Sequence, residues 1–156
     1  MKRASSFILT GVLLLWALTM PAQPKPDEVK WLHQYEEAQA QAAAHHIPIL
    51  MVFAGSDWCK PCIMLQKEVW ETEEFRQYAK GKLVLLELDF PRFKKNQLPA
   101  EQTKDNEQLA SQYNPEGVFP LVVLLDEQGH VLAKTGYQPG GPGKYIAHLE
   151  QILHNQ

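Results

Sequence analysis

Cysteine is nearly absent: the 156 residues hold two, Cys59 and Cys62. That excludes a multi-bridge disulfide scaffold, and also a four-cysteine zinc site, which needs a second pair. A basic excess is missing too, with 15 Lys and Arg against 18 Asp and Glu, so the charge balance does not point to nucleic acid. No internal repeat is evident, and no apolar run reaches the roughly 20 residues of a membrane-spanning helix. What remains is ordinary for one soluble globular domain: 45% apolar and 21% charged residues, enough for a proper core.

The N-terminus differs in kind from the rest. Lys2 and Arg3 precede an apolar run from Phe7 to Met20, followed by Pro21-Ala22 and the polar Gln23-Pro24-Lys25-Pro26. That order describes a secretory signal peptide. We therefore expect residues 1–22 to be an export signal cut after Ala22, and residues 23–156 to be one domain, periplasmic or secreted. Met20 is larger than usual at the third position before the cut, which keeps an uncleaved N-terminal anchor as the competing reading. No cysteine lies nearby to carry a lipid. Loss of residues 1–22 removes two cations and no acid, taking the formal charge from −3 to −5.

The chain is organised around Ser56-Asp57-Trp58-Cys59-Lys60-Pro61-Cys62. Upstream, Pro48-Ile49-Leu50-Met51-Val52-Phe53 reads as a buried strand. Downstream, Ile63, Leu65, Val69 and Trp70 recur at helical spacing. Cys59 is thus expected at a helix N-terminus, where free backbone N–H groups and the dipole favour a thiolate, and Lys60 adds a positive charge beside it. Pro61 suits a first helical turn, and two cysteines one turn apart can form a disulfide. In an oxidising compartment a structural bridge is the usual reading. A bond closing so short a loop is a poor staple, however, and its setting favours one that opens and closes.

The rest of the chain supplies alternating elements. A helix is expected from Asp27, as N-cap, to Ala44, with Trp31, Leu32, Tyr35, Ala38 and Ala42 as its apolar stripe and His45-His46 as solvent-facing residues at its end. Thr72 caps a short helix through Phe75 and Tyr78 that stops at Gly81. Leu83 to Phe90 reads as a second buried strand, and Pro91 to Pro99 as an exposed loop whose Arg92, Lys94 and Lys95 are mainly solvated, with partner contact a minor reading. A polar helix spans Ala100 to Tyr113. Gly117-Val118-Phe119-Pro120 leads into the strand Leu121 to Leu125. A turn at Asp126-Glu127-Gln128-Gly129 returns the antiparallel strand Val131 to Thr135, Gly136 lets the chain bend, and a helix from Lys144 to Leu153 closes the chain.

Trp58-Cys59-Lys60-Pro61-Cys62, with the proline-led strand and the hairpin, closely resembles the active-site pattern of the thioredoxin family, and the element order matches from about residue 27 onward. The closest likeness is to exported bacterial thioredoxin-like proteins, which also have a helix before the first core strand and an Asp-Phe-Pro like Asp89-Phe90-Pro91. The resemblance implies an α/β thioredoxin fold: a central mixed β-sheet flanked by helices, with an N-terminal helix before the first core strand. It implies a cis bond at Phe119-Pro120, facing the cysteines and holding substrate. It implies catalysis by Cys59 as attacking thiolate and Cys62 as resolving thiol, with the Cys59–Cys62 disulfide as the oxidised state, Trp58 as a shield, and no cofactor beyond that couple.

One departure stands out. The family buries an aspartate before the motif and pairs it with a lysine on the neighbouring strand; those positions fall near Val52 and Leu85, both apolar here. Proton transfer at Cys62 then passes to Glu87 or to water, and a solvated strand residue is the preferred reading of Glu87. The direction of electron flow is less constrained. From about −270 mV to about −120 mV is roughly 7 kcal/mol, whereas one nearby charge supplies about 0.3–1 kcal/mol, so Lys60 alone does not set the poise. The Pro61 pattern resembles reductants, which implies a monomeric reductase or isomerase acting on exported disulfide-containing proteins and kept reduced by a membrane electron donor. Two other classes compete: a Cu(I)-binding or metal-delivery protein using the same pair, with Met64 nearby, and a binding module whose bridge never opens.

Overall fold

A computed structural model describes residues 29–154. The expected export signal, and Asp27 as a cap, lie outside them. The described residues form a five-stranded mixed sheet in the order β1 (Trp31–Leu32), β3 (Val84–Asp89), β2 (Ile49–Ala54), β4 (Leu121–Leu125), β5 (Val131–Thr135). β1 and β2 run parallel to β3, β4 is antiparallel to β2, and β5 is antiparallel to β4. Every residue of β2 is buried, as its unbroken apolar run requires of a strand covered on both faces.

Alternation along β2 sorts its side chains into two layers. Leu50, Val52 and Ala54 face a core completed by Leu65, Val69, Trp70, Phe75, Tyr145 and Leu149. These come from α2 (Lys60–Leu65), a π-helical turn (Gln66–Trp70), α3 (Glu73–Ala79) and α5 (Gly141–His154). Ile49, Met51 and Phe53 face the opposite core with Ala38, Ala42 and Tyr113, from α1 (Tyr35–His45) and α4 (Ala100–Tyr113). Trp70 anchors the first layer, its ring centroid 4.5 Å from Phe75, 5.1 Å from Tyr145 and 5.7 Å from Trp31. Among the described residues, no helix is long and apolar enough to cross a membrane.

Three expectations are corrected. Trp31 and Leu32 are not in the first helix but in β1, paired with Leu85 and Leu86, and the helix starts at Tyr35. The helix after Cys62 is not uniform, because the chain widens into the π turn at Gln66. The closing helix begins at Gly141, three residues earlier than its apolar stripe suggested. His46 ends α1 in the left-handed region (φ 53°) and lies exposed, with Nδ1 2.9 Å from Glu127.

β1 joins the sheet beside the first half of β3, so the chain enters from the end remote from the carboxyl ends of β2 and β3. Those carboxyl ends lead directly into the cysteine segment and the loop beginning at Phe90.

Candidate active site

Cys59 follows the β2 exit and takes extended backbone angles (φ −87°, ψ 98°) as the N-cap of α2. Its amide donates to the Gly55 carbonyl at 2.9 Å, and its Sγ accepts from the Cys62 amide at 3.3 Å. A short polarisable side chain at this position satisfies a helix-start amide. The two cysteines are joined as a disulfide, with Cα atoms 5.2 Å apart, and are only 4% and 6% exposed. Lys60 and Pro61 form the exposed first turn of α2.

Trp58, the residue before Cys59, is half-buried and held from several sides. Its indole N–H donates to the Phe90 carbonyl at 2.8 Å, its ring meets Phe119 edge-on at 5.3 Å, and the Arg92 guanidinium lies 3.6 Å from its centroid. Phe90 packs on Phe119 in turn, at 5.4 Å. Gly55 makes room for this arrangement, because a Cβ there would overlap the Trp58 indole. The Phe119–Pro120 bond is cis, and the Trp58–Phe119 contact brings the segment leading into β4 against the cysteine segment. Gly136 also serves that approach: a Cβ there would lie 3.2 Å from the Pro120 carbonyl oxygen.

Sequence reasoning missed the clamp made by Asp57, the residue before Trp58. Asp57 accepts from the Arg92 and Phe93 amides and from the Asn96 side-chain amide, each at 2.9 Å. Desolvation raises the Asp57 carboxyl, but these donors outweigh it and hold the group below the usual carboxylate range. Asp89, the last residue of β3, accepts from the Ser56 amide at 2.8 Å and the Ser56 hydroxyl at 2.6 Å. The available signal was Asp57 itself, an acidic residue in the turn before a helix, where short carboxylates collect backbone N–H groups.

Glu87 also departs from expectation. It pairs with Val52 in register and lies two residues beyond Leu85, which puts it on the sheet face covered by α2 rather than in open solvent. It is half-buried, and its pKa is raised by burial first and by Asp89 second, with His33 opposing. The apolar Val52 and Leu85 are both buried, consistent with the loss of a buried charge pair as a unit. Met64 is half-buried in α2, and no group of three or more His, Cys, Asp or Glu suited to a metal occurs among the described residues.

A family model described as thioredoxin-like matches residues 30–127. The chain is 38% identical over 125 residues to the disulfide bond reductase DsbH of Chlamydia pneumoniae, covering 80% of this chain and 73% of that protein. A solved structure of a DsbH oxidoreductase is 34% identical, with a TM-score of 0.74, over 88% of this chain and 94% of that one. The solution structure of a thioredoxin from Thermus thermophilus, 17% identical over 80% of this chain and 87% of its own, superposes with a TM-score of 0.59 and shares the fold.

Proposed function

The chain belongs to the thioredoxin-like family of thiol-disulfide oxidoreductases, and from that premise we propose that it reduces or isomerises disulfides in exported proteins through Cys59 and Cys62. The observation that carries this is the Cys59–Cys62 bridge at the start of α2, directly after Trp58, whose ring meets the Phe119 that precedes the cis proline. In the reduced protein, the helix-start amides and Lys60 favour a Cys59 thiolate. That thiolate attacks one sulfur of the substrate disulfide, forming a mixed disulfide and releasing the other sulfur as a thiolate. Cys62 gives up its proton and attacks Cys59 Sγ, regenerating the Cys59–Cys62 bond and freeing the reduced substrate. Two electrons pass from the protein to the substrate, and a membrane-borne dithiol donor returns them.

The residues around the pair take supporting roles in this scheme. Trp58 limits water access, and the backbone at Phe119-Pro120 receives an extended substrate segment as an added strand. Glu87 or a water accepts the Cys62 proton. The N-terminal signal pattern supports an extracytoplasmic location, and the reductase direction is supported by the 38% identical relative that bears that name.

Cys62→Ser should accumulate mixed disulfides visible by non-reducing electrophoresis, and Cys59→Ser should abolish insulin reduction. The midpoint potential of the couple should lie nearer about −270 than about −120 mV. Full turnover by Cys59→Ser would refute the scheme.

A further inference from the structure

Residues 90–97 carry three cations, Arg92, Lys94 and Lys95, and no acid, on a chain of formal net charge −3. The loop is fastened to the redox site, since Asp57 binds the Arg92 and Phe93 amides and Asn96, and Arg92 stacks on Trp58. Lys60 adds a fourth cation next to Cys59. Among the described residues, none of Lys60, Lys94 and Lys95 has a carboxylate within ion-pair distance. The carboxylates of the adjoining segments are turned elsewhere: Asp57 accepts from the Arg92 and Phe93 amides and Asn96, and Asp89 accepts from Ser56. Two large apolar side chains stand exposed on the same two loops, Phe93 at 55% and Val118 at 46%.

We infer that this basic, apolar-studded rim is a docking surface for polypeptide partners that carry carboxylates beside their reactive disulfide. The inference rests on the exchange reading above and adds the partner's chemistry. On a chain of net negative charge, this local group of cations draws an acidic partner toward the rim, so the charge pattern also orients the encounter toward the sulfurs. A lipid surface fits less well, because it would cover the sulfurs and because these cations sit on a loop and at the first position of α2 rather than along an amphipathic helix or beside a membrane span.

The test uses the reduced protein and three disulfides: a cystine peptide flanked by Asp and Glu, the same peptide flanked by Lys, and neutral bis(2-hydroxyethyl) disulfide. At about 20 mM salt the acidic peptide should show kcat/KM about tenfold above the basic one, shrinking to within about twofold at about 0.3 M. Lys94→Glu with Lys95→Glu should abolish the preference, and Lys94→Gln with Lys95→Gln should reduce it, both with unchanged rates on the neutral disulfide. Equal rates on the two peptides in the wild type, or a preference that survives the double Glu variant, would overturn the docking surface while sparing the exchange chemistry. Lysine-dependent sedimentation with anionic phosphatidylserine vesicles, without peptide preference, would overturn it in favour of a membrane. A wild type that leaves the neutral disulfide untouched would overturn the exchange reading, and this inference with it.

Discussion

Gly55 and Glu87 make the residue-scale claims checkable without touching sulfur. In Gly55→Ala the new methyl must displace the Trp58 indole, and exchange should slow by about ten- to a hundredfold while far-ultraviolet circular dichroism stays unchanged. An altered tryptophan emission would report the displaced ring. For Glu87 the folded protein holds its proton more tightly than the unfolded chain. Its ionisation therefore costs nothing below the unfolded pKa and lowers stability as pH rises through the folded pKa. Glu87→Gln should melt higher than wild type at pH near 7.5, with the difference vanishing at pH near 4. An equal melting gap at both pH values would show that the carboxyl does not titrate in this way.

At the scale of elements, α3 depends on its cap. The Thr72 hydroxyl accepts from the Phe75 amide and donates to the Val69 carbonyl, tying the π turn to the next helix and placing Phe75 beside Trp70. Thr72→Ala should cost about 1 kcal/mol in urea denaturation, with Thr72→Ser recovering most of it. This cap was legible in sequence, as were β2, β3, β4, β5 and α4, because each has a sustained period, an unbroken apolar run or a turn signal at its end. β1 was not: two residues have no period, and Trp31 and Leu32 fell in phase with Tyr35, Ala38 and Ala42, so only pairing with Leu85 and Leu86 reveals a strand. The π turn hides for a similar reason, since one widened turn shifts the stripe without breaking it. At the candidate site the cysteine segment was readable from local order, whereas the Asp57 clamp joins residues 35 to 39 positions apart and exists only in three dimensions.

The whole molecule stands on two apolar layers about one sheet, and the disulfide adds little to them. A bridge spanning three positions restricts the unfolded chain by about 2 kcal/mol in the chain-entropy account. Dithiothreitol-reduced protein should remain folded and unfold in one cooperative transition, as followed by circular dichroism. Loss of that transition on reduction would make the bridge a structural staple after all. The edge strand that sequence patterns concealed has a practical corollary. Because β1 enters the sheet at the pole away from the sulfurs, a bead, electrode or resin attached at position 30, exposed just before β1, should leave the working pole presented outward, and immobilised protein should exchange thiols at close to its free rate.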